Sequence, residues 1–204
     1  LKQLSYYRFC EAKVNGINML ISRTGYTGEL GFELYLNNKN TVNIWNNLLL
    51  GGRNFGLIPA GLASRDTLRL EMKFNLYGND INEDFNPIEA GLGWLVKFDK
   101  GSFIGKEALI KIKNNPRYKS ICLEMIDKAI PRKGYSIFFG KDKIGRVTSG
   151  TISPSKQKGI AIAIIEKKFY KIGNILQIEI RGTKKNAEII NPPFYKSGTM
   201  LKNS

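Results

Sequence analysis

The sequence predicts an α+β chain in two parts: a mixed region of strands and helices, then a small antiparallel barrel or sandwich. Three observations carry this. Up to residue 114, apolar spacing alternates between the periods of strand and helix; beyond residue 117 only short strand-like segments follow. Asn114-Asn115-Pro116-Arg117 interrupts the chain between the two parts, because the residue before a proline is pushed out of helical geometry. Charge also divides: residues 1–110 carry a net +1, and residues 111–204 carry +14 of the total +15.

Taken in order, residues 18–23 read as a first strand. A turn punctuated by Gly25, Gly28 and Gly31 follows, and Phe32, Leu34 and Leu36 alternate with Glu33 and Tyr35 as a second strand. Residues 40–50 read as a helix with Val42, Trp45, Leu48 and Leu49 on its inward side. Residues 61–72, entered after Pro59, give a second helix, and residues 106–113 a third. In the second part, strands are expected over 119–125, 135–139, 143–148, 159–165, 175–180 and 187–190. The domain division is placed at 1–115 and 117–204.

Composition narrows the chemistry. The 204 residues contain no histidine, which excludes a Ser-His-Asp triad, a Cys-His pair and the usual zinc sites. Cys10 and Cys122 are too few for a disulfide scaffold and are expected to stay reduced, and no metal site is expected. The apolar runs are short, 160–165 being representative, so no membrane span is expected. No charged-then-apolar leader opens the chain. Its first residue is Leu1 in an ordinary globular pattern, which suggests a piece of something longer. The basic second half suits an acidic partner. Richness in Lys, Asn and Ile, as in proteins of AT-rich genomes, yields the same charge without one.

Two generic motifs fail. Residues 101–107 hold Gly-Lys without the spacing of a phosphate-cradling loop, and Gly91-Leu92-Gly93 has no βαβ unit around it. Two other stretches carry more. In residues 22–33, three glycines spaced by three mark a tight path with Tyr26 inside it, where a side chain would obstruct a close neighbour. Glu33 follows on the strand and points away from Phe32 and Leu34. Its carboxylate suits two parallel hydrogen bonds from a planar N–H pair such as an aminopyrimidinone edge; a solvent-facing hairpin glutamate has the same signature. In residues 59–71, Arg65 and Arg69 share a helix face and Asp66 pairs with Arg69 on the surface, leaving one arginine for an anion or carbonyl; a solvated face with a routine ion pair reads alike. Tyr77 and Trp94 sit in glycine-flanked loops, where they either stack on a planar ligand or plug the core.

Together these segments resemble a known family. Residues 23–33 (RTGYTGELGFE), 60–71 (AGLASRDTLRLE), 76–81 (LYGNDI), 87–94 (PIEAGLGW), 103–109 (FIGKEAL) and 145–154 (GRVTSGTISP), with Arg181-Gly182 and Pro193-Phe194, are similar to the aminomethyltransferase, or T-protein, of the glycine cleavage system. The resemblance runs in order along essentially the whole chain. It implies the later part of an α+β folate-binding region followed by a C-terminal antiparallel β-barrel. The implied activity removes the aminomethyl group from the dihydrolipoyl arm of the H-protein, releases ammonia and gives 5,10-methylenetetrahydrofolate. Tetrahydrofolate is then the co-substrate and lipoylated H-protein the partner, in the cytoplasm or, in a eukaryote, the mitochondrial matrix. Glu33 falls at the family's pterin-binding glutamate, Arg65 at its functional arginine and Tyr26 at a tyrosine near the folate. Tyr6 and Trp94 correspond to aromatic walls, and Tyr195 lies near a terminal substrate-contacting tyrosine.

The family's catalytic aspartate belongs to a stretch that precedes the part matched here. The resemblance therefore implies a fragment with about half the pocket and no activity alone. Related readings are the folate domain of a flavin-dependent sarcosine or dimethylglycine demethylase and the folate-binding protein of iron–sulfur assembly, whose Lys-Gly-Cys-Tyr motif is absent. A reading of another class is a basic barrel that binds nucleic acid. Its aromatics do not interleave with the basic residues as RNA-binding signatures require, and no nucleic-acid partner is expected.

Overall fold

The structure, a computed structural model, describes Leu1 and residues 3–202. It divides into two compact units, residues 1–68 with 196–204, and residues 69–195.

The first unit is built on a three-stranded antiparallel sheet of β1 (Phe9–Val14), β2 (Ile17–Ser22) and β3 (Glu33–Tyr35), in that order. Asn15 and Gly16 join β1 to β2 with φ of 48° and 77°, the left-handed pair that a two-residue hairpin demands. On the covered face of the sheet Met19 and Ile21 pack with Ile44, and Cys10, Ala12, Val14 and Leu34 flank them. Helix α1 (Thr41–Gly52) supplies Ile44. The expected inward side of this helix is corrected here: Val42, Trp45 and Leu48 are exposed, and Ile44 is the residue that is buried. Helix α2 (Leu62–Glu71) begins in the first unit and ends in the second.

The second unit contains a short helix, α3 (Lys106–Asn114), and six strands, β4 (Tyr118–Met125), β5 (Ser136–Phe139), β6 (Asp142–Ser153), β7 (Lys158–Glu166), β8 (Ile175–Ile180) and β9 (Thr183–Ile190). These close into an antiparallel barrel in the order β4-β7-β6-β5-β8-β9. Closure removes unpaired strand edges. Inside, Leu123, Ile137, Val147, Ala161, Ala163, Ile165, Leu176, Ile178 and Ile189 fill the barrel without accessible surface.

Strand β7 shows why its sequence is nearly all apolar. Ala161, Ala163 and Ile165 face the interior, while Ile160 and Ile162 pack outward with Leu70, Cys122 and Phe194. A strand buried on both faces cannot alternate with polar residues. Gly145 and Gly150, in the GRVTSGTISP stretch, sit where other backbone approaches. A Cβ on Gly145 would lie 2.1 Å from the Ile164 carbonyl oxygen, and one on Gly150 2.5 Å from that of Pro131.

Candidate functional site

The first unit assembles a polar cluster at the end of its sheet. Ser22 and Glu33 are cross-strand partners of β2 and β3. Thr24, two residues beyond Ser22, donates its hydroxyl to Glu33 Oε2 and lies 2.9 Å from Ser22 Oγ. Glu33 is exposed, whereas Leu34 turns toward the core with Met19 and Ile21. The sheet thus presents the carboxylate outward while its neighbour anchors the strand. A carboxylate accepts at about four lone-pair positions, so one hydroxyl leaves capacity for a planar donor pair.

Tyr6 stands close enough for the Glu33 charge to act on it. Burial, the adjacent Tyr7 and the Glu33 carboxylate push its hydroxyl up to about 12. The Tyr6 and Tyr7 rings lie 4.3 Å apart between centroids. Tyr6 keeps its proton well past neutrality, and its hydroxyl is hydrogen-bonded to Tyr7. Arg65, on the exposed side of α2, stacks its guanidinium 4.5 Å from the Tyr26 ring centroid. Stacking engages the planar face of a guanidinium; its in-plane N–H groups are the donors for an anion or carbonyl.

The structure therefore brings Tyr6 and Glu33 together, and Arg65 and Tyr26 together, within the first unit. Trp94 and Tyr195 belong to the second. Trp94 lies in a single helical turn, Gly93–Leu95, and is 70% exposed. Tyr77 is similarly open, so neither aromatic plugs a core. Tyr195 is half-buried, and its backbone N–H donates to the Glu71 carbonyl at 3.0 Å.

Two expectations on the motifs are corrected. Of the three spaced glycines, Gly28 alone has a left-handed backbone, with φ of 78°. A Cβ on Gly31 would meet nothing within 4 Å, and one on Gly25 would touch only the Glu29 carbonyl oxygen at 3.9 Å. The glycine path is instead occupied at its middle: Met200 N–H donates to the Gly28 carbonyl at 3.1 Å, and Thr199 N–H to Glu29 Oε2 at 3.1 Å. The second correction concerns Arg69, expected on a solvated face. It is fully buried and donates to Asp80 Oδ2 at 2.7 Å, Ser149 Oγ at 2.9 Å and the Phe74 carbonyl at 3.0 Å. Asp80 also accepts from Thr148 Oγ1 and from Leu76 N–H at 2.9 Å.

Sequence reasoning missed the helpers rather than the carboxylate. Thr24 and Ser22 are polar residues two apart beside a strand, which places them on one side of the chain with Glu33 opposite. That alternation was the available signal. The buried acids Asp80, Glu71 and Glu89 also went unread. Glu89 receives Arg117 N–H and Tyr118 N–H, both at 2.8 Å, and Glu71 receives Ser153 Oγ and, at 2.9 Å, Ser155 Oγ. Among the described residues no group of three or more His, Cys, Asp or Glu side chains is placed to hold a metal ion. No described helix is long and apolar enough to cross a membrane.

A mixed α+β unit with a carboxylate–hydroxyl cluster, together with a closed six-stranded barrel, defines a two-part class of protein. Residues 1–100 match the family described as the GCVT N-terminal domain, and residues 119–196 match the glycine cleavage T-protein C-terminal barrel domain. The chain belongs to the glycine cleavage T-protein family. It is 47% identical over 198 residues to an aminomethyltransferase of Caldanaerobacter subterraneus subsp. tengcongensis, covering 96% of this chain and 53% of that one. It is 48% identical over 197 residues to an aminomethyltransferase of Pseudothermotoga lettingae, with 96% and 54% covered. The crystal structure of the glycine cleavage system aminomethyltransferase T from Bartonella henselae superposes with a TM-score of 0.88 at 30% identity, over 97% of this chain and 55% of that one. The chain spans about half the length of the curated relatives it matches.

Proposed function

We propose that this chain contributes the pterin clamp of an aminomethyltransferase that uses tetrahydrofolate and a lipoylated H-protein in the cytoplasm. The reaction moves the methylene carbon from the dihydrolipoyl sulfur to the two folate nitrogens and releases the amino group as ammonia. The observation that carries the reading is the outward Glu33 carboxylate, held by Thr24 beside the protonated Tyr6, in a family whose curated relatives are named aminomethyltransferase.

In this reading Glu33 accepts the pterin ring N–H and its 2-amino group in parallel, a charge-assisted contact. Thr24 fixes one carboxylate oxygen and so orients the other. Arg65 meets an anionic or carbonyl group of the substrate, with Tyr26 bracing its guanidinium. Tyr6 serves as an aromatic wall; the same part for Trp94, and a substrate contact for Tyr195, rest on the resemblance alone. The assignment of residues 1–115 to the folate-binding region and of 117–204 to the barrel domain belongs to the same reading, supported by the end of α3 at Asn114, the Asn115-Pro116 breaker and the start of β4 at Tyr118.

The test is a titration of tetrahydrofolate into this chain and into its longer relatives altered at the matching glutamate. Glu33→Ala weakens binding by about 1–3 kcal/mol, because two buried pterin donors lose their acceptor. Glu33→Gln keeps one acceptor, loses the charge assistance and falls between. Unchanged affinity in both substitutions overturns the role given to Glu33.

A further inference from the structure

A cleft of about 460 Å³ opens on the outside of the barrel, wholly within the second unit. Its volume is that of a small-molecule site. Strand register builds it. Tyr118 of β4 pairs with Glu166 of β7, and Arg146 of β6 pairs with Ile164 of β7. Residues two apart on a strand share a face, so Ile164 and Glu166 point the same way. Ile164, 3% exposed, supplies an apolar floor. Phe85, from the loop between α2 and α3, lies edge-on to Tyr118, with ring centroids 6.5 Å apart and planes at 84°. The two rings and Ile164 make an apolar corner of the cleft.

Charge lines the same cleft in opposite pairs: Arg146 and Lys143 with Glu166 and Asp84. Residues 111–204 hold six acids against 20 bases, so an acid is not the default of this surface. Arg146 and Glu166 are diagonal neighbours across β6 and β7, about 7–8 Å apart at the backbone. Each engages a different neighbour. Arg146 stacks its guanidinium 5.1 Å from the Phe85 ring centroid, and Glu166 Oε2 takes Lys168 at 2.9 Å. Stacking uses the face of a guanidinium and leaves its in-plane N–H groups as donors, while a carboxylate with one oxygen engaged still accepts at the other. A lone anion in the cleft meets two carboxylates, and a lone cation meets two bases. A ligand that carries both charges meets its complement twice. We propose that this cleft binds a free α-amino acid with an apolar, preferably aromatic, side chain. Its carboxylate sits on Arg146, its ammonium on Glu166, and its side chain in the corner of Phe85, Tyr118 and Ile164. The site shares no residue with the Glu33 cluster, and the inference does not rest on the pterin clamp.

The experiment titrates L-phenylalanine into the full 204-residue chain by isothermal calorimetry. Three partial ligands are measured by competition: phenethylamine lacks the carboxylate, 3-phenylpropionate lacks the ammonium, and glycine lacks the side chain. We expect saturable one-to-one binding of L-phenylalanine, with each partial ligand weaker by about tenfold or more, as loss of a charge-assisted hydrogen bond or of the apolar contact demands. Arg146→Gln should weaken L-phenylalanine about tenfold and leave phenethylamine unchanged. Glu166→Gln should weaken L-phenylalanine to a similar degree and leave 3-phenylpropionate unchanged. General damage to the barrel cannot produce that crossed pattern, because it weakens every ligand alike. The proposal is overturned if L-phenylalanine shows no saturable binding at millimolar concentration, or if either charged half binds as tightly as the whole. It is equally overturned if both variants bind L-phenylalanine like the native chain, or if either weakens all four ligands equally.

Discussion

Single residues in this chain are tuned by burial more than by partners in solution. Cys122 is the clearest case. It lies on β4, 2% exposed, and burial pushes its thiol up to about 12, against the pull of Lys73. The thiolate is the reactive form, so Cys122 is inert in the folded state. Treating the native chain with iodoacetamide near pH 8 should alkylate the half-buried Cys10 and spare Cys122 until denaturant is added, as peptide mass spectrometry reads directly. Early labelling of Cys122 would show that β4 opens readily. Arg69 and Asp80 are the second case. Their pairing satisfies both charges inside the second unit, so Asp80→Ala leaves a buried guanidinium uncompensated. The expected cost is about 3–5 kcal/mol, measured by urea denaturation. A loss below about 1 kcal/mol would show that water or another acceptor replaces the carboxylate. Both residues sit in motifs that first suggested chemistry, and their role here is structural.

At the scale of elements, close approach explains several glycines. Adding a methyl at Gly145 forces β6 away from the Ile164 carbonyl that it pairs beside. Gly145→Ala should cost about 1–3 kcal/mol, as overpacking does, while Gly101→Ala, with nothing within 4 Å of its Cβ, should leave the melting temperature unchanged. Equal melting temperatures would mean that the barrel relaxes at that point. Elements with strong apolar periodicity were legible from the sequence: the six barrel strands fall within a few residues of their expected positions, β6 excepted, and α2 and α3 within one or two. Strand β1 was not, because Cys10, Ala12 and Val14 make its inward side small and weakly apolar. The Asn15-Gly16 pair was the signal that would have revealed it. The inward side of α1 was misread because the strongest apolar stripe was assumed to face the core of its own unit. Of the site, Glu33 and Arg65 were legible as candidates, but spacing alone left a solvated carboxylate and a routine ion pair equally open. The buried Arg69–Asp80 cluster was invisible because periodicity counts apolar side chains and says nothing of long-range polar pairs.

The whole molecule combines two units of unequal core. The barrel interior gathers thirteen buried apolar residues, and the first unit's described residues gather three. Burial of apolar surface is the main favourable term in folding, so the two units should not share one stability. The expected outcome is two separated transitions in urea. Hydrogen exchange followed by mass spectrometry should show peptides from 1–68 opening first, while peptides from β4, β6 and β7 stay protected to higher denaturant. A single coincident transition would show that the small core of the first unit does not set a separate stability and that the two units unfold as one cooperative body.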